Sequence, residues 1–232
     1  MQRFQINWEE DNSKKHTNIF GKNASDAIKN FKKKNPEKKI EGVYSVPNEF
    51  DLTIDLKNPA IYFDYGKAKF DAKDYKRALK DFKKASELAP KNSKVYDFTG
   101  RTKFFIDKTD KEVIDDLTKA INLDPNNSDA YDFRGRSKYF VNRTDKEVID
   151  DLTKAINLDP DNSDAYDFRG RSKYHLEMYV EAIEDCNSAF KLNPKNSKTL
   201  HFRGQAKYAL GRIEEALEDF NKAIELNPNN SE

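Results

Sequence analysis

Residues 130–139 read Ala-Tyr-Asp-Phe-Arg-Gly-Arg-Ser-Lys-Tyr, and the same ten residues return unchanged at 165–174. Looser copies lie on both sides. Gly66, Gly100, Gly135, Gly170 and Gly204 mark five of them, and each closes on a Leu-x-Pro-x-Asn ending at Pro90, Pro125, Pro160, Pro194 and Pro228. A self-similar period of about 34 residues means stacked supersecondary units, each unable to bury its apolar face alone.

Residues 197–230 show the unit most cleanly. Ser197 is a candidate N-cap for an amphipathic helix carrying Leu200, Gly204 and Tyr208; Gly211 breaks it, and Ile213–Leu226 makes a second helix that ends before Pro228. Gly204, Ala216 and Ala223 are small enough to let the two backbones approach. The other copies keep small residues at Ala78 and Ala182 and at Ala85, Ala120, Ala155 and Ala189, with Tyr62, Tyr96, Tyr131 and Tyr166 near the helix starts. This order of aromatic, Gly, Tyr or Phe, Ala, aromatic, Ala and Pro resembles the tetratricopeptide repeat (TPR) family. The resemblance covers residues 59–230 as copies at 59–92, 93–127, 128–162, 163–196 and 197–230. It implies a mainly α fold, a TPR α-solenoid in which antiparallel helix pairs wind into a right-handed superhelix with a concave groove.

Two copies are longer. Pro90, Pro125 and Pro160 are spaced 35 residues apart, and Val113 and Val148 replace the usual Ala. The extra residue falls between the helices, where Thr109–Glu112 and Thr144–Glu147 each read as a capping box opening the second helix. Residues 109–139 and 144–174 differ only at Asn126 against Asp161, so neighbouring stretches of groove should offer a partner nearly the same surface.

The resemblance also implies a ligand lying along the first helices, over Asp97, Arg101 and Phe104; Asp132, Arg136 and Tyr139; Asp167, Arg171 and Tyr174; and His201, Gln205 and Tyr208. Each Asp–Arg pair is four residues apart on one helical face, and the arginines are expected to be largely exposed, able to fork onto carboxylates. On an exposed helix such a pair needs no ligand and contributes roughly 0.2–0.5 kcal/mol. Where relatives clamp the acidic C-terminus of heat-shock chaperones, this chain has Phe63, Lys67, Phe98, Asp129 and Phe133, and only Lys67 fits. A second set, Arg134, Arg169 and Arg203 with Lys69, Lys103, Lys138, Lys173 and Lys207, recurs in phase with Asp81, Asp116, Asp151, Asp185 and Asp219. That phase predicts partly buried pairs between packed helices.

Residues 1–46 follow another plan. Phe4, Ile6 and Trp8 alternate as a strand, Glu9–Lys15 reads as a polar turn, and His16–Phe20 as a returning strand. Ala24, Ala27, Ile28 and Phe31 form a helical stripe capped by Asn23 or Ser25, and Ile40–Val46 reads as a third strand, giving a small α+β (ββαβ) unit joined by a linker, 47–58. Phe50–Leu56 is expected to dock this unit on the first repeat. Ten basic and six acidic residues give this segment a net charge of +4. Lysines at the helix C-terminus suit its dipole, and the lack of an aromatic-interleaved basic motif makes nucleic-acid contact the lesser alternative.

Over the whole chain, 42 basic residues against 41 acidic ones leave no field to draw in nucleic acid or an anionic membrane. Cys186 alone cannot form an intrachain disulfide and sits on an apolar helix face as a structural thiol. No apolar run approaches the length of a membrane span, and cytoplasmic residence follows. His16, His175 and His201 are scattered without metal-ligand spacing, and no phosphate or dinucleotide fingerprint is present. The expectation is a non-enzymatic adaptor without cofactors that binds a peptide or protein. At the other end, Leu217, Phe220 and Ile224 repeat the pattern that inner copies cover with the next helix, so a further repeat or a second chain, most simply a homodimer partner, is expected there.

Overall fold

The computed structural model describes residues 2–10, 13–38, 40–46 and 58–228. The chain divides into two compact units, Met1–Ile106 and Asp107–Glu232.

The first unit opens with strands β1 (Gln2–Glu10) and β2 (Ser13–Gly21), helix α1 (Ala24–Lys34) and strand β3 (Ile40–Val46). β1 is central and antiparallel to both neighbours, in the order β2-β1-β3. The expected polar turn at Glu9–Lys15 is mostly strand, because pairing continues through Trp8↔Lys15 and Glu9↔Lys14 to Glu10↔Ser13. Ladder bonds there satisfy the backbone groups of a polar stretch. Asn23, not Ser25, caps α1 by accepting from the Asp26 N–H. Ala24, Ala27, Ile28 and Phe31 fall on one helical stripe and close a core with Phe4, Ile6 and Val43. At the helix end Lys32 Nζ donates to the carbonyls of Pro36 and Lys38, so one lysine of the basic cluster is spent on its own chain.

Three repeat helices complete this unit: α2 (Pro59–Asp71), α3 (Tyr75–Leu88) and α4 (Ser93–Ile106). Ala68 and Tyr65 of α2 extend the sheet–helix core, and the Arg77 guanidinium donates to the Ile40 carbonyl. The ββαβ unit is thereby fixed to the first repeat through α2 and α3. The docking segment expected at Phe50–Leu56 lies outside the described residues.

The second unit holds α5 (Lys111–Leu123), α6 (Ser128–Val141), α7 (Lys146–Leu158), α8 (Ser163–His175), α9 (Tyr179–Leu192), α10 (Ser197–Ala209) and α11 (Ile213–Leu226). Within a repeat, the glycine of the first helix lets the second come close. A Cβ on Gly135 would stand 2.8 Å from Leu152, and on Gly204 2.6 Å from the Phe220 ring. Cys186 is buried below Gly170, and burial is the main cause pushing its thiol up to about 12, so it stays protonated and inert.

The helix ends correct two expectations. Asn196 rather than Ser197 caps α10, and Asp110 and Asp145 rather than Thr109 and Thr144 cap α5 and α7. The threonines are engaged one turn earlier, where Asp107 and Asn142 accept from both the N–H and the hydroxyl of Thr109 and Thr144.

The recurrent Arg/Lys–Asp set forms the expected buried pairs. Arg134 donates two bonds to Asp151 (2.9 and 2.6 Å), Arg169 does the same to Asp185, and Arg203 to Asp219. The remaining nitrogen reaches back to the preceding repeat, to Thr118, Thr153 or Asn187. Lys138, Lys173 and Lys207 reach the same aspartates from the other side. Each cluster therefore ties three helices in one geometry.

Candidate functional site

The first helices of the last three repeats, α6, α8 and α10, line one cleft of about 820 Å³. Seven of the expected groove residues meet there: Arg136, Tyr139, Asp167, Arg171, Tyr174, His201 and Gln205. Their surroundings differ from expectation. Arg171 is only 9% exposed and Asp132 and Asp167 are 2% and 1% exposed, so these pairs are not solvated surface pairs.

What buries them is an alternation of guanidinium and ring. Arg136 lies 4.7 Å from the Phe133 ring on its own helix and 5.0 Å from Phe168 on the next; Arg171 lies 4.8 Å from Phe168 and 5.0 Å from Phe202. Arg136 also bonds Asp132 at 3.0 Å and Asp164 at 3.1 Å, while Arg171 pairs with Asp167, which accepts from the Thr199 hydroxyl at 2.8 Å. The arginines thus hold successive repeats together through charge and stacking, each cation–π contact contributing about 0.5–2 kcal/mol. In the first unit Arg101 repeats the arrangement with Asp97, Phe98 and Phe70. The sequence reading missed the phenylalanines between Asp and Arg as the stacking partners, although they recur in phase at Phe98, Phe133, Phe168 and Phe202.

Asp132 and Asp167 have the same neighbours in sequence and different ones in space. Asp167 receives the Thr199 hydroxyl, whereas Ala165 holds the corresponding place beside Asp132, whose Oδ1 is buried without a partner. Desolvation pushes the Asp132 carboxyl up to about 6 against the pull of Arg136.

Other expected groove residues fall elsewhere. Phe104 is a core residue at 1% exposure, in the first unit with Asp97 and Arg101. Tyr208 is 63% exposed and does not line the cleft, because no described helix follows α11 to cover it as Phe202 of the next repeat covers Tyr174.

The structure adds His175, Lys108 and Arg143 to the expected groove residues. His175 and His201 are not scattered: both line the cleft, both contact Phe202, and His175 Nε2 lies 3.2 Å from the Tyr139 hydroxyl. Burial first, then nearby arginines, lowers the pKa of both imidazoles, which keeps them neutral at pH 7. Lys108 and Arg143 enter from the lengthened turns, with Lys108 Nζ 4.9 Å from the centre of the Phe140 ring. The 35-residue spacing marked those turns, and only the packed structure shows where they lead. Among the described residues no group of His, Cys, Asp and Glu could hold a metal ion, and no helix is long and apolar enough to cross a membrane.

The model of the tetratricopeptide repeat family matches residues 59–92 and again residues 197–230. The chain is a tetratricopeptide repeat protein. Its TPR architecture also matches solved structures: a MamA protein at 26% identity and a TM-score of 0.63, covering 73% of this chain and 92% of that one; and YrrB, described as a TPR protein with an unusual peptide-binding site, at 19% identity and a TM-score of 0.64, covering 89% and 95%. MamA 41-end from Desulfovibrio magneticus RS-1 is similar at 18% identity and a TM-score of 0.64, covering 75% and 97%. A comparison with curated protein sequences finds no match. The TPR repeats and these likenesses support a protein-interaction scaffold.

The exposed end of the TPR array is apolar. Leu217 is 55% and Ile224 62% exposed, whereas their counterparts Ile183 and Ile156 are 6% and 7% exposed beneath a following helix. Phe220, expected in the same patch, turns inward instead, because Gly204 leaves room for its ring and His201 packs on it.

Proposed function

We propose that the protein is a non-catalytic cytoplasmic adaptor that holds a peptide or protein segment in the cleft of α6, α8 and α10. The observation that carries this reading is the convergence of Tyr174, His201 and Gln205, all part-exposed, on one cleft whose walls are locked by the arginine–phenylalanine alternation. A rigid wall with exposed aromatic and amide groups binds a segment without first having to be ordered. Selection of binders from a random peptide library, followed by NMR mapping, tests it. Shifts should centre on Tyr174, His201 and Gln205, and shifts confined to the opposite helices α7, α9 and α11 would sink the reading.

The apolar end supports a second contact. Leu217 and Ile224, with Ile213 at 42% and Leu210 at 41% exposure, leave a surface of the kind that marks an interaction site. We infer that a second copy of the chain covers it in a symmetric dimer. Light scattering should show a dimer that Leu217→Glu converts to monomer; a monomer throughout the accessible concentration range would reject the dimer.

A further inference from the structure

We propose that the segment held in the cleft is acidic, its Asp and Glu carboxylates recognised by Lys108 and Arg143 from the two lengthened turns. The inference deepens the peptide-binding reading and rests on it. Five cationic side chains line the cleft, Lys108, Arg136, Arg143, Arg171 and Lys198, against two carboxylates, Asp164 and Asp167. Both carboxylates are already bonded to Arg136 and Arg171. Among the described residues, Lys108 and Arg143 have no carboxylate partner, and both are exposed at the rim.

Their placement is built rather than incidental. The Lys108 carbonyl accepts from the Ser137 hydroxyl and the Arg143 carbonyl from the Ser172 hydroxyl, each at 3.4 Å, so each turn is held against the first helix of the following repeat. The two cations stand in equivalent positions one repeat apart, offering an extended ligand two similar points of attachment. Nucleic acid is a poorer fit, because single strands stack bases on open ring faces. Here Phe168 lies between Arg136 and Arg171, and Phe140 carries Lys108.

The test uses the full chain and the library selection described above, with all peptides C-terminally amidated so that only side-chain carboxylates are read. Selected peptides should be enriched in Asp and Glu, and their binding should weaken at least tenfold in Lys108→Glu/Arg143→Glu but less than threefold in Lys108→Arg/Arg143→Lys. Thermal melting of each variant shows that folding is intact. Neutral or basic peptides that still map to Tyr174 and Gln205 would overturn the acidic preference and leave the peptide-binding reading standing. Failure to select any cleft-binding peptide would remove both. Displacement of the selected peptides by a single-stranded oligoribonucleotide, with tighter binding of that oligonucleotide, would reject the inference in favour of nucleic acid.

Discussion

The repeats of 34 and of 35 residues close the same helical hairpin in two ways. In the shorter ones the first helix ends on a residue in the left-handed region: Lys73 at φ 60°, Glu177 at φ 60° and Gly211 at φ 75°. The next N–H bonds back five residues, as Met178 does to the Lys173 carbonyl. This is the six-to-one bond of a Schellman turn. In the longer repeats the extra residue removes the need for positive φ. Asp107 and Asn142 form Asx turns instead, and Asp110 and Asp145 then cap the second helix. Two of the shorter turns have no such side-chain cap, at Met178 and Arg212. One additional residue thus trades backbone strain for side-chain hydrogen bonds, and it brings a cation to the cleft.

If the two turn types are equivalent for the core beneath them, the buried ion clusters should not distinguish them. Asp151→Ala in a long repeat strands Arg134 while Lys138 keeps Glu147 at 2.7 Å, and Asp185→Ala in a short one strands Arg169 and Lys173; each should cost about 3–5 kcal/mol. Urea unfolding measures both. A difference greater than 2 kcal/mol between them would show that the turn reaches into the core.

The first helices of the third and fourth repeats, identical over residues 128–139 and 163–174, differ next in their buried carboxylates. Asp132 holds its proton up to about pH 6, above the ordinary carboxylate value of 3.8. Between those pH values the folded protein binds a proton that the unfolded chain releases, so this group makes stability fall as pH rises through the window. In Asp132→Asn that part of the slope should vanish, with a change of about 2–3 kcal/mol across the window at the usual conversion of pKa to free energy. Unfolding midpoints at about pH 3 and about pH 7, each on the order of a pH unit outside the window, are the readout, and an unchanged slope would place Asp132 with the ordinary carboxylates.

The caps and strained residues test the turns directly. Asp145→Ala should cost about 1 kcal/mol by leaving a helix N–H unpaired. Gly211→Ala should cost about 1 kcal/mol through backbone strain alone, since an added Cβ would meet nothing within 4 Å. The smallest effect, a gain of about 0.5 kcal/mol, is expected from Glu177→Gly, where relief of the positive φ outweighs the added freedom of the unfolded chain. A loss at Glu177→Gly would mean that the side chain supports the turn in some other way.

Much of the protein was decided by local sequence. The repeat period, the small residues at Gly135 and Gly204, the Gly211 break and the alternation of Phe4, Ile6 and Trp8 each constrain neighbouring residues only, and helix and strand periodicity carry that information in one dimension. The Arg134–Asp151 and Arg169–Asp185 pairs were legible too, because opposite charges recurred in phase on both helices of every repeat.

Tertiary packing decided the state of the groove arginines. An i,i+4 Asp–Arg pair reads as exposed until the next repeat's Phe168 or Phe202 is laid against it, and burial depends on that neighbour rather than on the helix that carries the pair. The same holds for Asp132 and Asp167, whose own helices are identical over residues 128–139 and 163–174 while the following repeat supplies Ala165 to one and Thr199 to the other. The joining of His175 and His201, and the entry of Lys108 and Arg143 into one cleft, likewise depend on how successive hairpins stack. Local sequence determined the hairpins; contacts between repeats determined which side chains remained available to a partner.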